Sequence, residues 1–259
     1  MVPMTNLLQD KTCIITGGCG SVGLAAAELF LGEGARVLLV DLDEARLSTA
    51  QERLGTHDVA ICAADVSEPD DVDRYIATAV NRWGKFNVLF SNAGNHGLIA
   101  PLAEYDDEAF DRTLRVHVRG AYLACKKAPP QMHDRGSIIV TSSMAGTRGG
   151  AGSENNIAYT VAKHAQTGVV RVAARAWAHR GIRVNSLNPG PIDKAFQADI
   201  EQKLSRVTGR NITHAIDNDI PLGRHARPDE VAKVALFLAS NLSSYVTGHI
   251  YPVDGGLAS

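Results

Sequence analysis

The chain has 259 residues, 45% hydrophobic and 21% charged, and its 26 Lys and Arg against 28 Asp and Glu leave a formal charge of −2. A chain of this size buries a substantial core without disulfides or metal staples, and high apolar content with little net charge excludes disorder as the dominant state. The charge balance also argues against electrostatic capture of nucleic acid or an anionic membrane surface.

Short β-branched and aliphatic runs at 12–16, 36–40, 59–62, 87–91, 137–141, 182–187 and 249–253 read as strands. Their near-continuous apolarity suits strands covered on both faces, as in a parallel sheet. Between them, helical periodicity spans about 22–33, 43–54, 69–83, 106–133, 156–180 and 228–240. Ser67-Glu68-Pro69 before Asp70 and Asp71, and Arg227-Pro228 before Asp229 and Glu230, mark helix starts with acidic residues at the positive end. Alternating strands and helices predict an α/β fold: a doubly wound, Rossmann-type parallel sheet of about seven strands, helices on both faces, right-handed crossovers. No repeat, low-complexity tract or linker divides it, so one domain over 1–259 is expected, with the Gly-rich stretch 146–152 as a loop.

The four cysteines (Cys13, Cys19, Cys62, Cys125) form no CxxC pair, and nine histidines include no HExxH. They predict buried thiols in a reducing compartment and no metal site. The opening MVPMTNLLQDK lacks a basic region followed by an apolar run, and no stretch approaches the length of a membrane span, so a cytoplasmic address is expected.

The first strand runs into Thr16-Gly17-Gly18-Cys19-Gly20-Ser21-Val22-Gly23 and then a helix. Glycines there allow a tight turn, close approach of backbone to a pyrophosphate, and tight helix packing, while the helix N-terminus offers unpaired N–H groups to the phosphates. The second strand ends in Asp41, 18 residues beyond Gly23, where a carboxylate accepts from the ribose hydroxyls of a dinucleotide. Asp41 would repel a 2′-phosphate, and neither Leu42 and Asp43 nor the turn at 17–20 supplies a compensating cation, so NAD is the expected cofactor. The bland alternative is that Asp41 only caps the following helix.

Tyr159 and Lys163 stand four apart on a predicted helix, hence on one face. An ammonium beside a phenol, with the charged cofactor nearby, lowers the phenol from its usual pKa of about 10 toward a usable base. The strand 137–141 ends in Ser142-Ser143, presenting a hydroxyl where α/β folds bind ligands.

With these residues in hand, nearly the whole chain resembles the short-chain dehydrogenase/reductase family. The turn at 16–23 is similar to the family's TGxxxGxG region, with Gly17, Gly20, Ser21, Val22 and Gly23 at the cofactor phosphates; Asp41 and Leu42 would face the adenosine ribose and Asp65 and Val66 the adenine. Asn92, Ala93 and Gly94 resemble its NNAG motif beside the nicotinamide ribose, and Ser143, Tyr159 and Lys163 its catalytic Ser, Tyr and Lys. Pro189, Gly190 and Ile192 match its PG segment at the nicotinamide carboxamide, and 252–256 its C-terminal VDGG. The resemblance implies hydride transfer between a small alcohol or ketone and NAD: Tyr159 as acid/base, Ser143 as donor to the substrate oxygen, Lys163 holding the ribose. It also implies a substrate lid over about 192–220 and a homotetramer or dimer, for which Val161, Val169, Val170, Val172 and Trp177 on the helix at 156–180 supply an apolar set.

Several positions depart from the family pattern. Ser21 replaces a glycine, either to hydrogen-bond phosphate or merely as a tolerated small side chain. His117 replaces the family's fourth catalytic residue, an Asn that anchors a proton-relay water; it either takes over the relay or packs as a helix histidine. Lys194 stands where a Thr is common, and Ser143 and Tyr159 are 16 apart, more than the family often shows, with the surplus in the Gly-rich loop. Ser142 is the weaker choice of catalytic hydroxyl, His96 reads as a loop residue near the site, and Arg148 as exposed or as a partner for an anionic substrate. Ser21 and His117 also motivate a competing reading, a catalytically weak NAD(H)-binding sensor or interaction protein of the same fold.

Overall fold

The computed structural model describes residues 6–148, 153–193, 195–209 and 211–259. The expected runs form β1 (Thr12–Thr16), β2 (Arg36–Asp41), β3 (Val59–Ala63), β4 (Phe86–Ser91), β5 (Met132–Thr141), β6 (Arg183–Pro189) and β7 (Ile250–Val253). They pair in parallel in the order β3-β2-β1-β4-β5-β6-β7. The helices are α1 (Ser21–Gly32), α2 (Glu44–Leu54), α3 (Pro69–Trp83), α4 (Asp107–Leu114), α5 (Gly120–Lys127), α6 (Ile157–Trp177), α7 (Ala195–Thr208), α8 (Ile212–Asp219) and α9 (Pro228–Ala239).

The period-2 alternation of the strands explains both layers. Cys13, Ile15, Val37, Leu39 and Phe90 pack with α1, α2 and α9. Ile14, Leu38, Val40, Leu89 and Ile138 face the other way, against α3, α5 and α6. Both faces are therefore dry, which is why the strands read as unbroken apolar runs.

The pattern over 106–133 predicts one helix, and the structure corrects it. The α4 helix ends at Leu114, a π-helical turn spans Arg115–Arg119, and α5 stops at Lys127. Pro129 and Pro130 lack the N–H that would continue the ladder and form a 3-10 turn, Pro129–Gln131. At Met132 the chain is already in β5, pairing with Phe86 before an irregularity between Phe86 and Val88. The polar stretch at 133–135 is exposed, so it carried no apolar strand pattern. Asp43 caps α2 by accepting from the Arg46 N–H at 3.1 Å, so Asp41 is not the cap. At α3 the cap position falls on Glu68, with no side-chain cap bond, and Ser67 instead donates to Asp65.

Of the apolar set on α6, Val170 is fully buried, Val169 and Trp177 pack against the core, and Val161 and Val172 are exposed. Among the described residues, no helix is long and apolar enough to cross a membrane.

Candidate active site

Connections leaving the carboxyl ends of the strands meet over the β1–β4 boundary, where the sheet order reverses and α/β folds open a crevice. They wall a cavity of about 750 Å³. Its nucleotide end is mostly backbone. Gly17 has φ +65°, and a Cβ there would stand 2.9 Å from the Ala93 Cα. The Gly23 position is tighter still, since a Cβ would lie 2.2 Å from the Gly17 carbonyl oxygen. Gly23 is the one residue of the predicted set that does not line the cavity; it lets α1 seat against the turn. Thr16 Oγ1 accepts from the N–H groups of Asn92 and Ala93, and the Asn92 amide reaches back to the Thr16 and Gly17 carbonyls. These bonds lock the β1 and β4 turns together.

The α1 N-cap, Gly20, makes no side-chain cap bond, and the Ser21 Oγ just inside the helix is buried without a partner. An orphan hydroxyl at a helix N-terminus, over a turn that excludes side chains, fits the pyrophosphate of a dinucleotide. Asp41 lines the same end and accepts from the N–H groups of Cys19 at 3.0 Å and Leu42 at 2.9 Å. Leu42, Asp65 and Val66 complete that wall. Sequence reasoning missed Arg46, which reaches across from α2 to the Cys19 carbonyl at 2.9 Å and lines the cavity. Its only signal was its place in the first turn after the Asp43 cap.

Ser143, Tyr159, Lys163 and His117 converge on the cavity wall. Tyr159 and Ser143 line the cavity together, close enough for the serine hydroxyl to favour the phenolate. The Lys163 ammonium donates to the Thr141 carbonyl at 2.8 Å and sits 5.3 Å from the Tyr159 ring centre. Ser142 spends its hydroxyl on the Lys163 carbonyl, which leaves Ser143 as the hydroxyl facing the tyrosine. Asn188, inside the Asn-Pro-Gly segment, was given no role by sequence; it is fully buried and donates to the Ser143 carbonyl at 2.7 Å, fixing the serine's backbone. Burial pushes the Tyr159 phenol up, with the Ser143 bond opposing.

His117 sits in the π turn, 1% exposed, its ring edge-on to Tyr159 at 5.6 Å. Nε2 lies 2.7 Å from the Asn95 carbonyl oxygen and 3.3 Å from the Asn95 N–H; the carbonyl can only accept, and the shorter contact favours the proton on Nε2. Nδ1 is buried and unpaired. Burial, then the Lys163 charge, hold the imidazole well below its usual range, against a raising bond from Asn95. The ring is therefore neutral at neutral pH. Gly94 exists for this ring, since a Cβ there would lie 2.4 Å from the His117 Cε1.

Pro189, Gly190 and Ile192 close the far wall, and Ile192 bridges to Ala226. Over it lie α7 and α8, contributing Gln197, Ile200, Leu204 and Ile216 to the lining. His96 is no bare loop residue, because it contacts Asp199 of α7 at 3.1 Å, beside Lys203. Arg148 is exposed on the rim. Lys194 lies outside the described residues. No group of three or more His, Cys, Asp or Glu among the described residues could hold a metal ion.

Residues 18–258 match the family model described as enoyl-(acyl carrier protein) reductase. An uncharacterized oxidoreductase of Mycobacterium bovis is 40% identical over 98% of this chain and 99% of its own. Short-chain dehydrogenase reductase 5 of Arabidopsis thaliana is 38% identical over 96% of this chain and 95% of its own. The crystal structure of levodione reductase superposes with a TM-score of 0.89 at 30% identity, covering 96% of this chain and 98% of that one. The class to which this sheet and these matches point is thus an oxidoreductase, from a family whose members use nicotinamide cofactors. The chain belongs to the short-chain dehydrogenase/reductase family.

Proposed function

We propose that the protein is an NAD-dependent dehydrogenase or carbonyl reductase that interconverts a secondary alcohol and its ketone. The observation that carries this reading is the convergence of Ser143 and Tyr159 on the cavity wall with the Lys163 ammonium 5.3 Å from the tyrosine ring centre. Supporting NAD is the Asp41 carboxylate at the end of β2 in the cavity lining, where it would accept from ribose hydroxyls and repel a 2′-phosphate.

In the oxidising direction Tyr159, as phenolate, takes the hydroxyl proton while Ser143 donates to the substrate oxygen and holds the developing charge. The C–H bond breaks as the C=O bond forms, and bound NAD⁺ supplies the acceptor for that hydride. Because burial raises the Tyr159 phenol, the positive charges of Lys163 and of the cofactor must favour the phenolate. Lys163 would also donate to the ribose of the bound cofactor. His117, neutral and with Nδ1 unpaired, accepts along the proton path behind Lys163. The segment about 192–220, with α7 and α8, acts as the substrate lid.

Tyr159→Phe tests the reading. Absorbance at 340 nm, with NAD⁺ and a panel of alcohols, should show a rate loss of about 10²-fold or more, with NADH binding by fluorescence nearly unchanged. Retention of most activity would remove Tyr159 from the chemistry. We further infer a symmetric homotetramer or dimer, with Val161 and Val172 exposed for it on α6; light scattering giving the 27.6 kDa of one chain would contradict that.

A further inference from the structure

Asn156 stands at the N-cap of α6, three residues before Tyr159. Asparagine is favoured at that position because its side-chain oxygen accepts from the first-turn N–H groups. Here it makes no such bond; only its backbone carbonyl works, accepting from the Thr160 N–H at 3.1 Å. The residue is 9% exposed, its Oδ1 is buried without a partner, and it lines the cavity. Buried amide oxygens are rarely left unmet, since they lose water and gain nothing.

Two other polar groups of the same lining are already committed. Ser142 is bonded to Lys163, and Gln197 on the lid to Glu201. The same cavity also presents apolar surface, from Met144 and from Ile200, Leu204 and Ile216 of the lid. Arg148 and Asp219 reach the lining from exposed positions with opposite charges, so the rim selects no net charge. Residues three apart at a helix start share a side, which sets Asn156 beside the acid/base tyrosine.

We propose that Asn156 is a specificity residue whose Oδ1 accepts a hydrogen bond from a second hydroxyl of the substrate. The enzyme then acts on a neutral vicinal diol or hydroxyketone with an apolar remainder, in preference to a monohydric alcohol. This rests on the dehydrogenase reading above.

Three probes test it with NAD⁺: trans-1,2-cyclohexanediol, its monomethyl ether, and cyclohexanol. The diol should exceed both others in kcat/KM by about tenfold or more, because a site built for a hydroxyl rejects analogues lacking it. Asn156→Leu should bring the ratios near one by raising KM for the diol, whereas Asn156→Asp, which keeps an acceptor, should retain the preference. Calorimetric binding of the diol to the enzyme–NADH complex should weaken in the same proportion in Asn156→Leu, while NADH affinity and melting temperature stay close to wild type. Equal rates on all three probes, a diol no better than its methyl ether, or a preference that survives Asn156→Leu would overturn the role of Asn156 and leave the dehydrogenase standing. A protein that binds NADH but oxidises none of the three overturns the dehydrogenase reading and this one with it.

Discussion

Under β1 and β4 the cavity is walled by main chain, with side chains removed so that backbone can come close. Beyond β5 and β6 it is walled by side chains carried in from α6, α7 and α8. At the nucleotide end, Thr16, Asn92, Ala93 and Gly17 form a closed set of hydrogen bonds between two neighbouring strand turns. At the substrate end, Ile200, Leu204 and Ile216 come from α7 and α8, which polar links join to each other and to His225 before α9. A surface made of backbone tolerates few sequences, because a single methylene collides with a carbonyl. A surface made of exchangeable side chains can change its ligand without changing the fold.

Gly23→Ala should break the backbone-built end most severely. The new Cβ would meet the Gly17 oxygen at 2.2 Å, and neither group is a flexible tip. NADH binding by fluorescence should be lost, and stability should fall by about 1–3 kcal/mol. Gly32→Ala on the same helix is the control, since nothing lies within 4 Å of its Cβ; it should gain roughly 0.5–1 kcal/mol. Normal NADH binding by Gly23→Ala would end the distinction between the two walls.

Asp41→Ala sharpens the same comparison at a position where side-chain charge decides. Removing the carboxylate removes both the ribose acceptor and the repulsion of a 2′-phosphate, so the ratio of NADP(H) to NAD(H) affinity should rise about tenfold or more. Arg46, on the same wall, should supply part of that gain, so Asp41→Ala combined with Arg46→Ala should give some of it back. Titrating both cofactors by fluorescence measures each variant; unchanged preference in Asp41→Ala would end its role in cofactor choice.

Legibility in the sequence follows the same division. The strands could be read because both faces of the sheet are dry, and the turn at 17–23 because its glycines are sterically compelled. Asp41, Tyr159 and Lys163 were visible through fixed spacing from those elements. Arg46 and Asn156 were not, because each depends on how distant segments approach, and neither breaks a local pattern. The break inside 106–133 was hidden for another reason: a π turn keeps the apolar periodicity nearly intact while shifting its phase. That shift delivers His117 into the site.

For His117 the expected change is smaller and falls on turnover. His117→Ala removes the ring against which Gly94 packs and the bond to Asn95, so kcat should fall roughly tenfold with NADH affinity little changed. His117→Asn should retain more of it. Because burial and Lys163 keep the folded imidazole neutral well below its ordinary value of about 6.5, wild type should show no kcat limb from this residue above that pH. The unfolded chain binds a proton there that the folded chain excludes, so stability should decline as pH falls below about 6.5, and this slope should flatten in His117→Asn. An Ala variant with wild-type kcat across pH 5–10 removes His117 from the proton path.

The weakest effect should come from the lid, where α7, α8 and the segment before α9 meet at one histidine. His225 contacts Glu201 of α7 at 2.7 Å through Nε2 and Asp217 of α8 at 2.8 Å through Nδ1. Glu201 is held in addition by Gln197 and Thr213, and the neighbouring Ala226 bridges to Ile192 at the cavity wall. Burial works to lower the His225 pKa, but the hydrogen bonds to Glu201 and Asp217 together raise it above its ordinary value. A raised folded pKa means that the histidine's contribution is fully present below the unfolded value and is lost as pH rises through the folded one. Rising pH should therefore loosen the lid and not tighten it. Since the catalytic residues lie on other elements, KM should rise by about two- to fivefold, equivalent to under 1 kcal/mol, while kcat changes less. His225→Gln, which keeps hydrogen bonding without the charge, should have the higher KM already at low pH and show no further rise. A wild-type KM that is flat across this range, or a His225→Gln variant with the wild-type profile, would show that the lid stays closed by its apolar contacts alone.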